Sequence, residues 1–130
     1  MAWLEAQQGF PFKAQPLTIC AYEVDCGDIA NVSDENGRGA FGVAMADLAC
    51  PWEDLVDRRI EPPSWRLAKR LIAQGLAGVI APSFAPGAGP FDRNVVFWRW
   101  SEVAPPRVRV IDDEARLPRD GGSWEPKAGP

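Results

Sequence analysis

The sequence predicts an α+β domain, a mixed and mostly antiparallel sheet with helices packed on it. Three observations lead there. Segments with helical spacing and short apolar or alternating runs are interspersed along the chain. The apolar run Ala77 to Ala81 is followed, across a loop rich in glycine and proline, by a second strand from Asn94, a hairpin-like return that a purely parallel sheet does not make. Arg107-Val108-Arg109-Val110-Ile111 alternates basic and apolar residues, the pattern of a strand with one wet face.

Taken in order, Met1 to Gln8 contains good helix formers and no breaker, and it reads as the tail of a helix ended by Gly9, with Pro11 beyond. Leu17 to Val24 reads as a strand with two apolar faces, hence an internal one. A turn follows, then an extended stretch from Ile29 to Val32. Asp34 to Gly39, with two glycines and Asn36, reads as a loop. Ala40 to Ala49 reads as a helix, with Phe41, Ala44, Met45 and Leu48 at spacings of three and four, closed by Pro51. Trp52 to Ile60 fits more than one assignment.

Pro62-Pro63-Ser64 opens a clearer helix through Gln74, since proline is tolerated in the first turn, where its missing N–H is not needed. Trp65, Ala68, Leu71 and Ile72 form its expected apolar stripe, and Gly75 its C-terminal stop. Ala77 to Ala81 is a short strand ending at Pro82-Ser83, Phe84 to Asp92 a loop, Asn94 to Trp100 a two-sided strand and Arg107 to Ile111 the last one. This gives one domain over 1–117 and a flexible tail over 118–130, where little beyond Trp124 could be buried.

Composition narrows the chemistry. The chain has 130 residues, 46% apolar and 25% charged, values that fit one globular domain and exclude wholesale disorder, collagen-like repeats and a coiled coil. Eighteen acidic side chains against 14 basic ones give a net charge of −4, unsuited to direct nucleic-acid binding, which needs concentrated Lys and Arg. Histidine is absent, which removes a Ser-His-Asp triad, a Cys-His dyad and a His-ligated metal. Cys20, Cys26 and Cys50 are odd in number and match no Cys-x-x-Cys pair, so they read as buried, reduced thiols in a cytosolic protein. No apolar run approaches the roughly 20 residues of a membrane helix.

The order strand, Pro82-Ser83, Gly/Pro loop, Asn94, strand is the most informative local feature. A polar residue at the end of a buried strand is held rigidly beside a loop that admits a ligand. Ser83 and Asn94 are therefore candidates, although a turn-capping serine and an asparagine bridging loop backbone have the same sequence signature. Glu5, among Trp3, Leu4 and Ala6, is by itself an ordinary solvated helical carboxylate. Arg38 and Arg93 are suited to clamping a phosphate through paired charge-assisted bonds, or are plain surface charges. Gly87-Ala88-Gly89 lacks the spacing of a phosphate-binding loop and reads as a flexible connector. Trp98 and Trp100 read as packing residues.

Four stretches together resemble the RES domain family, the toxin half of bacterial toxin–antitoxin pairs that degrade NAD+. They are Ala2-Trp3-Leu4-Glu5, similar to the family's Ala-x-x-Glu helix; Leu17 to Asp25 followed by Ile29 to Asp34; Trp65 to Gly78 leading into Val79-Ile80-Ala81-Pro82-Ser83; and Asn94-Val95-Val96-Phe97. The resemblance implies a fold like that of ADP-ribosyltransferases and cleavage of the nicotinamide–ribose bond, with water, phosphate or a protein side chain as acceptor. It implies catalytic roles for Glu5 near the nicotinamide ribose and for Ser83, and a substrate-binding position for Asn94. It implies no metal and no cofactor, with NAD+ as substrate, an Xre-type antitoxin as protein partner, a homodimer as a further association, no membrane and a cytoplasmic location. Family members carry an Arg and Tyr residues ahead of the Ala-x-x-Glu helix. Since Met1 stands directly before it here, the expectation is the C-terminal portion of such a domain. The alternative function is a non-catalytic module that binds the antitoxin or itself.

Overall fold

The structure, a computed structural model, describes Ala2, Glu5 and residues 18–118. It contains five strands: β1 (Ala21–Asp25), β2 (Ile29–Asn31), β3 (Gly78–Pro82), β4 (Arg93–Phe97) and β5 (Arg107–Ile111). Four helices fall between β2 and β3: α1 (Glu35–Phe41), α2 (Met45–Leu48), α3 (Trp52–Asp57) and α4 (Pro63–Ala73). Ala2 and Glu5 are helical as well. The strands form a ribbon, β1-β5, and a sheet in the order β2-β3-β4. Among the strand pairs of the described residues, β2-β3 is parallel and the other two are antiparallel. A parallel neighbour requires a long crossover, and the whole helical segment supplies it. The expected α+β architecture with a mixed, mostly antiparallel sheet is the one observed.

The core lies between that sheet and the helices. Ala30, Val32, Val43, Leu67 and Leu71 are buried, with Phe41, Leu48, Val79, Ala81 and Trp98 packed around them. Leu67 and Leu71 sit four residues apart on α4 and so share one face. The stripe is thus rotated from the one expected. Trp65 and Ile72 remain 46% and 49% exposed. Apolar spacing alone could not choose between the two faces, because Trp65 suits the stripe as well as Leu67 does. The helix ends themselves are as expected: Pro63 occupies the first turn and Gly75 follows the end at φ +84°.

The segment 34–49 corrects two expectations at once. Asp34 to Gly39 is the start of a helix, because the Asp34 carboxylate accepts the Gly37 N–H at 2.7 Å and caps α1. The helix expected over Ala40 to Ala49 is split, because Gly42 adopts φ +63° and takes the chain out of α1 before α2 begins. Gly37 also satisfies a close approach: a Cβ there would meet the Asn31 carbonyl oxygen at 1.9 Å. Arg38 secures the same junction by donating to the Val32 carbonyl at 3.2 Å. Two glycines and an asparagine look like a loop by composition, but one glycine is required by packing and the cap outweighs the modest propensity cost.

The first strand is also corrected. β1 covers Ala21–Asp25 and is not internal: all five residues are exposed in the ribbon with β5. Its pairing places Glu23 opposite Arg109 and Asp25 opposite Arg107, with Tyr22 and Val24 opposite Val110 and Val108 on the other face. Arg107 donates to Glu23 at 3.3 Å. Leu17, which was expected in this strand, lies outside the described residues, as do Met1, Trp3, Leu4, residues 6–16 and residues 119–130 of the expected tail. β4 is shorter than the expected Asn94 to Trp100. Trp98 leaves the ladder and its indole N–H donates to the Leu76 carbonyl at 2.6 Å, while Trp100 is 56% exposed and is not a packing residue. The three cysteines are free, as expected, but half-buried rather than buried. Among the described residues, no helix is long and apolar enough to cross a membrane.

Gly37 and Gly39 offer a matched test of this reading. Alanine at Gly37 meets backbone and should cost about 1–3 kcal/mol. Alanine at Gly39, where no atom lies within 4 Å of the added carbon, should gain about 0.5–1 kcal/mol through helix propensity. Urea denaturation of both variants checks the opposite signs.

Candidate functional site

β3 and β4 build the centre of the site through their register. Ala81 lies opposite Asn94 and Pro82 opposite Arg93. The Ser83 N–H donates to the Asp92 carbonyl at 2.9 Å, which extends the ladder by one residue. Residues directly opposite share a face of the sheet, and so do residues two apart along a strand. Ser83 and Asn94 are therefore diagonal neighbours on one face, the face on which Val79 and Ala81 meet the core.

The Glu5 carboxylate closes this diagonal. Its Oε1 accepts a hydrogen bond from the Ser83 hydroxyl and another from the Asn94 amide nitrogen at 2.5 Å. All three residues are half-buried. Two donors on one oxygen fix the carboxylate's position. Ser83 Oγ accepts the Ala85 N–H at 3.3 Å while donating to Glu5, which sets the direction of its proton. The turn-capping reading of Ser83 is thus also correct. Asn94 serves the carboxylate and not the loop backbone.

The loop between the strands carries hydrogen bonds of its own. Gly89 N–H donates to the Asp92 carboxylate at 2.8 Å, and Ala88 N–H to the Ala85 carbonyl at 3.0 Å. The loop's first residues, Phe84 to Pro86, form part of a wall.

A cleft opens beside Glu5. One lobe, about 390 Å³, is lined by Glu5, Cys50, Trp52, Glu53, Phe84 and Asn94 among others. A second, about 310 Å³, is apolar and lies between α4 and the sheet, with Trp65, Leu71, Val79, Val96 and Trp98 in its walls. Leu48, Phe84 and Asn94 line both, so the lobes adjoin. These volumes are in the range of small-molecule sites. The described lining of the first lobe includes Glu5 and Glu53 and no basic side chain. At the junction the Cys50 thiol lies 3.4 Å from the Ser64 hydroxyl.

The arginine clamp is not formed. Arg38 is on α1, beside β2, and its guanidinium is used by the Val32 carbonyl; Arg93 is on β4, across β3 from β2. Sequence reasoning missed Trp52, Glu53 and Phe84. The available signal was an aromatic residue directly after a proline or a strand end, positions that core packing does not demand.

An α+β fold with a crossover of helices, and a helical glutamate meeting a serine and an asparagine from adjacent strand ends, define the class. A family model described as RES domain matches residues 1–120, and the chain belongs to the RES domain family. Searches of curated proteins and of solved structures return no match.

The Glu5 contacts make a stability prediction. Asn94→Leu removes one of the two donors to the half-buried carboxylate and leaves that hydrogen bond unmade. Urea denaturation should show a deficit of about 1–3 kcal/mol against the parent.

Proposed function

We propose that this chain degrades NAD+ by cleaving the bond between nicotinamide and ribose. The observation that carries the reading is the half-buried Glu5 carboxylate, held by Ser83 and Asn94 at the wall of a cleft. Breaking that bond sends the bonding pair to the nicotinamide nitrogen and leaves positive charge on the ribose, an oxocarbenium-like transition state. Glu5 opposes that charge and accepts a hydrogen bond from a ribose hydroxyl through Oε2. Ser83 orients Glu5 and reaches the ribose. Asn94 holds the carboxylate aimed, at the substrate-binding edge. The carboxylate acts as a preorganised counter-charge, so its contribution does not wait for solvent to rearrange. The acceptor is water, inorganic phosphate or a protein side chain. The reaction as written draws on no metal and no cofactor, NAD+ being the substrate, and it belongs in the cytoplasm.

The partner in this reading is an Xre-type antitoxin that blocks the cleft. The β1-β5 ribbon offers a separate surface for association, since Tyr22, Val24 and Val110 stand 57%, 47% and 46% exposed on one face. Pairing of two copies into a homodimer is the competing use of that face, and sedimentation with and without the antitoxin separates the two.

Free nicotinamide released from NAD+ is the direct assay. Glu5→Gln keeps the shape and removes the charge, and should lower the rate by about 10²–10³-fold. Ser83→Ala should lower it by about tenfold or more through loss of one charge-assisted hydrogen bond. No nicotinamide release by the parent protein with water, phosphate or protein acceptors present would overturn the reading.

A further inference from the structure

The lobe beside Glu5 has an unusual combination of walls. Trp52 and Glu53 open α3, and Phe84 follows Ser83, so two aromatic side chains and two carboxylates share one lobe of about 390 Å³. Trp52 and Phe84 leave 46% and 48% of their surface to solvent. The charged side chains of the described lining are Glu5 and Glu53, which attract a cation and repel a phosphate. Aromatic faces combined with carboxylates suit a flat ring that carries positive charge: the π-cloud attracts a cation, and the carboxylates add a Coulomb attraction that water only partly screens.

We infer that Trp52 and Glu53 make this lobe a charge-reading site, selective for a cationic pyridinium ring over its neutral or acid-bearing counterparts. The inference rests on the NAD+ reading for its biological ligand and deepens it by assigning specificity. Oxidised NAD+ carries a pyridinium, and both attractions act on it. The reduced dinucleotide carries a neutral dihydropyridine and loses both. A dinucleotide whose ring bears a carboxylate brings a negative charge up to Glu53 and is repelled. Glu53 is a specificity-determining residue in this scheme, separate from the Glu5 carboxylate that faces the ribose. The pyrophosphate and adenosine then extend out of the lobe, away from its acidic walls.

The protein can be titrated calorimetrically with three small probes at millimolar concentration: 1-methylnicotinamide, which is cationic; nicotinamide, which is neutral; and 1-methylnicotinate, which adds a carboxylate. The cation should bind about three- to tenfold more tightly than the neutral ring. Trp52→Ala should remove most of that preference, and Glu53→Gln should lower it about two- to fivefold while improving relative binding of the acid-bearing probe. Both positions are exposed, so folding is not at stake. Equal binding of cation and neutral ring, no binding of the cation, or a preference unchanged in both variants would overturn the assignment. Nicotinamide release from NAD+, measured in parallel, keeps the two readings apart: cation preference without release sinks the cleavage reading alone, and release without cation preference sinks this one alone.

Discussion

The site depends on the register between β3 and β4. With Ala81 opposite Asn94, the chain beyond Pro82 places Ser83 on the same face and one diagonal step away. A single carboxylate oxygen can then receive both side chains. A slip of one residue would turn Asn94 to the opposite face, because strand side chains alternate. The register has its own support. Gly78 lies so close to the Val96 carbonyl that a Cβ would stand 2.4 Å from it, and Trp98 ends the ladder with its indole fixed to Leu76. The catalytic proposal thus rests on backbone pairing some distance from the carboxylate itself.

The helical crossover gives the site its second wall. β2 and β3 are parallel neighbours, so the chain between them must travel the length of the sheet and return. It does so in four short helices rather than one long one, and Gly42 and the prolines at 51, 62 and 63 set the breaks. Short helices expose more of their surface than they bury. Within α1, α2 and α3 no residue is fully buried, whereas α4 buries Leu67 and Leu71. α4 therefore anchors the crossover, and α2 and α3 are left to line a cleft with Leu48, Trp52 and Glu53.

Much of this was legible in the sequence, for reasons that differ by element. α4 carries its own start and stop signals, so its ends were plain, while its buried face was not, since Trp65 and Leu67 are both large and apolar. The helix at Asp34 was hidden by its glycines, one of which is there to pass over the Asn31 carbonyl, a tertiary reason that no local rule contains. β1 looked internal because Tyr22 and Val24 alternate with Ile19 and Ala21, all compatible with burial; its partner β5 lies more than 80 residues on, and only the pairing shows the ribbon standing clear of the core. Glu5, Ser83 and Asn94 could be singled out by order and family likeness. That one oxygen of Glu5 receives both donors could not be read, because it needs the diagonal geometry of two strands.

The same geometry explains how neutral donors can hold a carboxylate here. Burying part of a charge is costly unless hydrogen bonds replace the lost water. Ser83 and Asn94 supply two such bonds while adding no positive charge of their own, so neither donor cancels the field of Glu5 in the cleft. A lysine or arginine in either place would hold the carboxylate as firmly and neutralise it. Neutral donors keep the charge available for whatever positive group enters, and Glu53 in the same lobe adds to it rather than offsetting it. A cleft built this way favours a ligand that arrives positively charged, or that becomes so as its bond breaks, and it holds that bias before any ligand is bound.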